Sequence, residues 1–234
     1  MRSFIEYITE FKLTLKYHKV LNSEIWHENK LEEKDKIFIL SHAYDFVKHS
    51  GINKKYIKDI VFTGSSANFN YTKYSDVDIH IMVEGINAKS DALYDKKVKW
   101  TETHKNLKLG KYPLEFYIQD NHEHFPDGQG VYSLLKNKWL VQPKHLSNVS
   151  KILKDPKTIT KVEYNIKYAQ SLIDNGTKEA IQNYKDKLYK LRTAGLNAEG
   201  EFSVENIVYK ELRNRSYVDK LNKRLAYLKK IWSL

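Results

Sequence analysis

A mixed α+β half followed by an all-helical half is the architecture the sequence predicts, and three observations carry it. Strand-type patterns, among them the alternating run DVDIHIMV at residues 76–83, are confined to the first 150 residues. From residue 160 onward apolar residues recur only at three- and four-residue spacing, the period of a helix face. Charge is uneven as well: of a formal net +11, residues 151–234 hold 18 Lys and Arg against 10 Asp and Glu, or +8, leaving +3 for residues 1–150. The expected division is therefore a domain over residues 1–150 and a basic α-helical domain over residues 151–234, joined near Pro143 to Pro156.

The elements follow in order. A first helix is expected over residues 4–15. A second is expected over residues 31–51, where Ile37, Leu40, Tyr44 and Val47 would share a face and Gly51 would stop the helix. Residues 59–63, DIVFT, form a short strand pattern cut off by Gly64, and residues 76–83 form a second. Residues 91–106 read as a helix bearing Lys96, Lys97, Lys99 and Lys105, and residues 114–118, LEFYI, as a third strand. The stretch GVYSLLKNKWLVQP from Gly130 fits a hairpin or a strand plus helix. In the second half, Val162, Ile166, Ala169 and Ile173 mark one helix and Ile181, Tyr184, Leu188 and Leu191 the next, with Thr177 as its cap. Ser203 starts a third, and Val218, Leu221, Leu225, Leu228 and Trp232 mark a fourth.

Composition excludes several classes. Among 234 residues, 41% hydrophobic and 13% aromatic content supply enough apolar area for a folded core, which argues against pervasive disorder. No run approaches the roughly 20 apolar residues of a membrane span, and the opening MRSFIEYITEFK lacks a signal-peptide core, so a soluble cytoplasmic protein is expected. The absence of Cys removes disulfides, thiolate metal sites and a cysteine nucleophile. Neither HExxH, a Walker phosphate loop nor GxGxxG occurs.

The chemistry is concentrated in VFTGSSANFNYTKYSDVDIHIMV. Asp76 and Asp78 alternate on one strand and so point to one face, two hard oxygen donors of the kind Mg²⁺ takes alongside substrate phosphates. Gly64 permits close backbone approach to a phosphate, while Ser65 and Ser66 offer hydroxyl and N–H donors at the start of a helical turn. Asp-x-Asp or Gly-Ser alone says little. Their combination, ten residues apart between two strands, describes one phosphate-and-metal site.

On these residues the chain resembles the nucleotidyltransferase superfamily typified by DNA polymerase β, whose pattern is a Gly-Ser turn, an Asp-x-Asp strand and a carboxylate on a later strand. Gly64, Ser65, Asp76 and Asp78 match that pattern, and Glu115, in PLEFYI, stands where many relatives carry Asp. The phrases GSSANFNYTKYSDVDIH and GVYSLLKNKWL also look like predicted nucleotidyltransferases of large tailed phages, which would put the protein in the host cytoplasm. The resemblance implies a nucleotidyltransferase-fold mixed sheet with flanking helices, and transfer of a nucleoside monophosphate from an NTP to an acceptor hydroxyl with release of pyrophosphate. It further implies two Mg²⁺ ions, for which Mn²⁺ can substitute, held by Asp76, Asp78 and Glu115. Glu115 would help deprotonate the acceptor, and Ser65 would bind the β/γ-phosphates. The basic helical half suggests RNA, such as a tRNA 3′ end, as acceptor. Nucleotidylation of a protein or small molecule is the alternative, as is an inactive nucleic-acid-binding module of the same fold.

Other candidates carry less. His80 shares the face of Asp76 and Asp78 and reads as a packed histidine before a nucleotide contact. His122 and His124, in DNHEHFPDG, read as loop residues. The Lys96, Lys97, Lys99 and Lys105 group, and Lys210 with Arg213 and Arg215, fit phosphate contacts and solvated faces equally. Tyr71, Tyr74 and Tyr132 are candidates for stacking on a base.

Overall fold

A computed structural model describes residues 11–126 and 128–231. The chain divides into two compact units, residues 17–146 and residues 147–234 together with the described part of the segment ending at Lys16.

In the first unit a small hairpin, β1 (Trp26–His27) and β2 (Lys30–Leu31), turns through Glu28 and Asn29, both at positive φ. Helix α1 (Glu33–Ser50) follows, then β3 (Ile57–Thr63), β4 (Val77–Val83), helix α2 (Asp91–Thr103), β5 (Lys108–Leu109), β6 (Tyr112–Asp120), β7 (Val131–Ser133) and β8 (Lys138–Val141). Six strands form one sheet in the order β5-β6-β4-β3-β7-β8, with β4 and β6 parallel and the other pairs antiparallel, so the sheet is mixed. The stretch from Gly130 is the hairpin β7–β8.

The alternation along β4 assigns its faces. Val77, Ile79, Ile81 and Val83 are buried in the main core, where α1 and α2 contribute Phe46 and Trp100 against Phe116 of β6. Helix α1 ends as expected at Gly51, whose φ of 70° closes it through bonds to Lys48 and Val47 carbonyls. Its buried face differs from the predicted one. Ile37 and Tyr44 are exposed, whereas Ile39, Ala43, Phe46 and Val47 fill the core, a rotation of the apolar stripe by about 100° about the helix axis.

Among the described residues of the second unit the regular elements are all helices: α3 (Val149–Ile152), α4 (Pro156–Asn175), α5 (Lys178–Glu199), α6 (Val204–Asn214) and α7 (Tyr217–Ile231). Asp155, Thr177 and Ser203 cap α4, α5 and α6 by accepting the N–H of Thr158, Ala180 and Asn206. Val162, Ala169, Ile181, Ile207, Leu212 and Leu221 form the core. Residues 11–15 are not helical, and the rest of the helix predicted there lies outside the described residues, as does Trp232. Instead the segment is pinned by buried Glu211, whose Oε1 accepts Thr14 N at 2.6 Å, Thr14 Oγ1 at 2.9 Å and Leu15 N at 2.9 Å. Among the described residues no helix is long and apolar enough to cross a membrane.

Candidate active site

The site starts where β3 ends. Thr63 faces Asp78 across the antiparallel ladder, and Asp78 faces Glu115 across the parallel ladder between β4 and β6, so these three residues form one row across three strands. Register partners on neighbouring strands lie within about 5.5 Å and point to the same face. That face lies opposite the α1–α2 core. Asp76 stands immediately before β4, two residues from Asp78.

The chain then turns sharply. Gly64 has φ 77° and ψ −167°, and a Cβ built on it would overlap Asp78 Oδ2, so both the backbone angle and the space demand glycine. A single 3₁₀ turn, Ser65–Ala67, follows and is fixed from several sides. Ser66 Oγ donates to the Asp76 carbonyl at 2.7 Å, Ser65 Oγ to Ser75 Oγ at 2.8 Å, and Asn68 Nδ2 to the Gly64 carbonyl at 2.8 Å. Trp26 Nε1 donates to the Ser66 carbonyl at 2.7 Å from within the core. Ser66 is buried and its hydroxyl donates to the Asp76 carbonyl, so it ties the turn to the residue that leads into β4. Ser65 is half-buried and keeps a position at the rim.

Glu115 lies beside Asp78 and its Oε2 accepts a short hydrogen bond from the Tyr117 hydroxyl. Burial pushes the Tyr117 phenol far up, and the charges of Glu115, Asp78 and Asp76 push it further, so the hydroxyl stays a donor. Lys97 reaches in from α2, its ammonium 3.5 Å from the Tyr117 ring centroid. Burial lowers its pKa, while Glu115 and Asp78 pull the other way. Among the described residues no three His, Asp or Glu side chains are gathered so that together they could hold a metal ion.

The remaining candidates separate on inspection. His80 pairs through Nδ1 with Gln119 Oε1 and packs on Tyr117, and burial lowers its pKa first of all, as for a packed histidine. His122 is exposed, 3.5 Å from Glu84, and His124 is exposed. Lys96 donates to the Ser50 carbonyl at 2.8 Å and so finishes α1, leaving Lys97 alone of that group shown beside the carboxylates. Tyr132 is buried against Trp26 and Trp139 and is a core residue, while Tyr71 stacks on His18 with centroids 3.9 Å apart. Tyr74 lies under Lys73. Sequence reasoning passed over Tyr117, although the same two-residue stride that joins Asp76 to Asp78 joins Glu115 to Tyr117. Trp26 gave no such signal, because its role depends on a contact 40 residues away.

The family model for a nucleotidyltransferase domain matches residues 47–188, from the end of α1 into α5 and more than half of the chain. The chain belongs to the nucleotidyltransferase domain family. Its match contains Gly64, Ser65, Asp76, Asp78 and Glu115. No curated protein matches this nucleotidyltransferase. Among solved structures, a STING-associated CdnE c-di-GMP synthase from Capnocytophaga granulosa is similar at 12% identity, over 87% of this chain and 84% of that one, with a TM-score of 0.22.

Proposed function

We propose that this nucleotidyltransferase moves a nucleoside monophosphate from an NTP to an acceptor hydroxyl in a Mg²⁺-dependent reaction, with Asp76, Asp78 and Glu115 as metal ligands and residues 17–146 as the catalytic unit. The observation that carries this reading is the row Thr63–Asp78–Glu115, with the Gly64–Ser65 turn closed against Asp78.

The donor types suit a hard divalent cation: Asp78 and Glu115 are register partners on adjacent strands and Asp76 stands immediately before β4, with no nitrogen or sulfur donor required. Tyr117 engages Oε2 of Glu115, and Oε1 is the atom left to a cation. When bound, two Mg²⁺ ions would clamp the attacking and leaving oxygens and neutralise charge on the transferred phosphoryl group. Asp76 and Asp78 would hold them; Glu115 would hold the one on the acceptor side and accept the hydroxyl proton. Ser65 would donate to the β/γ-phosphates from the rim, helped by the absence of a side chain on Gly64. Tyr117 keeps Glu115 oriented, and Lys97 offsets part of the negative charge of the cluster.

RNA, such as a tRNA 3′ end, is the proposed acceptor, on the strength of the +8 carried by residues 151–234. The phage likeness of GSSANFNYTKYSDVDIH and GVYSLLKNKWL belongs to the same proposal. Incubation with each α-labelled NTP, total RNA and protein extract tests it. Label in RNA is the expected result. Label in protein or in a small product would replace the acceptor, and no label in any fraction, with NTP still bound, would leave a binding module.

A further inference from the structure

The helical unit pairs part of its positive charge with its own carboxylates. Lys210 pairs with Glu201, Lys161 with Glu205 at 2.6 Å, and Arg215 with Glu211 at 3.1 Å while also donating to the Lys12 carbonyl at 2.7 Å. The Lys210–Arg215 cluster singled out from the sequence is therefore largely structural.

Helix α7 differs. Its sequence YVDKLNKRLAYLKKI holds Lys220, Lys223, Arg224, Lys229 and Lys230 against the single carboxylate Asp219. At about 100° per residue, Lys220, Lys223, Arg224 and Tyr227 fall within one arc of about 100°. Val218, Leu221 and Leu225 lie on the other side, buried in the unit's core. Among the described residues no carboxylate is within ion-pair distance of Lys220 or Lys223. Aromatic rings are interleaved with these cations. Lys220 lies 5.1 Å from the Tyr217 centroid, and the Arg224 guanidinium lies 5.6 Å from that of Tyr227, which is 57% exposed. Arg224 Nε is buried without a hydrogen-bond partner among the described residues.

We propose that the outer face of α7 binds single-stranded nucleic acid, with Lys220 and Lys223 on phosphates and Tyr227 stacked on a base. The alternatives use the face less well. An anionic membrane surface needs the apolar side of an amphipathic helix, and here Val218, Leu221 and Leu225 are committed to the core. An acidic peptide matches the charges and leaves the exposed Tyr227 ring without a partner of its own kind. The inference rests on the nucleotidyl-transfer reading only in taking the bound strand as acceptor.

The test is fluorescence anisotropy of labelled single-stranded RNA with the full chain across a salt series, without NTP. Single-stranded DNA, duplex and polyglutamate serve as the other probes. The expected result is tight binding of single strands at low salt, a log-log salt slope reduced by about 1.4 in Lys220→Gln/Lys223→Gln, at about 0.7 per phosphate, and about tenfold weaker binding in Tyr227→Ala. Circular dichroism of these surface variants confirms that they fold. Equal affinity for polyglutamate or duplex, or binding unchanged in both variants, overturns the proposal. Asp78→Asn separates the two readings, since it should keep strand binding in full. A strand bound yet never extended by labelled NTP supports the α7 surface and removes RNA as acceptor; extension with both α7 variants at wild-type affinity removes the surface and keeps the reaction.

Discussion

At Gly64 two independent constraints meet, a φ of 77° and a neighbouring Asp78 carboxylate that occupies the space a side chain would need. Gly64→Ala is therefore expected to abolish transfer and to destabilise the unit by about 1–3 kcal/mol, read by urea denaturation beside a pyrophosphate-release assay. Wild-type release in that variant would show that the turn does not shape the site. Tyr117→Phe is the gentler probe. It removes the hydroxyl on Glu115 without opening a cavity, and is expected to lower kcat about tenfold while NTP binding by calorimetry is unchanged. An NTP affinity loss at constant kcat would assign Tyr117 to substrate binding. At this scale the sequence was informative where chemistry follows from local spacing, as for Gly64, Asp76 and Asp78. Glu115 needed the resemblance, and Lys97 needed the structure, since nothing along α2 distinguishes it from Lys96 until the fold brings one to the Ser50 carbonyl and the other to Tyr117.

Among elements, the segment at residues 11–15 depends on one buried carboxylate. Glu211→Gln keeps the shape but loses charge-assisted bonds to two backbone N–H groups and to Arg215, at an expected cost of about 3 kcal/mol. Limited proteolysis near Thr14 should then accelerate; unchanged cleavage and an unchanged unfolding midpoint would contradict the account. The tie between α4 and α6 gives a pH dependence. Lys161 holds the Glu205 carboxyl below its usual value of 4.5, so the unfolded chain binds the proton more readily, and this stabilisation is present above about pH 4.5 and lost as pH falls through that range. After allowance for solvent screening it is about 0.5 kcal/mol, and Lys161→Gln should flatten the acid limb of stability against pH by that amount. A steeper limb would mean that another carboxylate governs it. Strands β3, β4 and β6 and the helices begun at Thr177 and Ser203 were legible because alternation and Ser or Thr caps are local signals, whereas β1, β2, β5 and the Asp155 cap gave no signal that was read. The face of α1 was not, because Ile37 and Ile39 are equally apolar and only the sheet beneath decides which is buried.

For the whole chain, the switch from two-residue to three- and four-residue periodicity was the signal for a division near residue 150, and the compact units divide between residues 146 and 147. The grouping of residues 11–16 with the helices was not, since it depends on Glu211, 197 residues from Thr14. The nucleotidyltransferase family model likewise runs past that boundary to residue 188, as a family defined by chain order need not respect compact units. Charge behaves in the same way. A net +8 was countable from sequence, but only the structure shows that Lys161, Lys210 and Arg215 are paired with carboxylates of the unit while, among the described residues, Lys220 and Lys223 are paired with none. The central claim is that Asp78, between Thr63 and Glu115 and under Gly64, makes this chain a metal-dependent nucleotidyltransferase. Pyrophosphate release from γ-labelled NTP, measured with Mg²⁺ and with chelator for wild type and Asp78→Asn, tests it most directly. The account predicts release from the wild type with Mg²⁺ alone, and background release in chelator and in folded Asp78→Asn; undiminished release in either would contradict it.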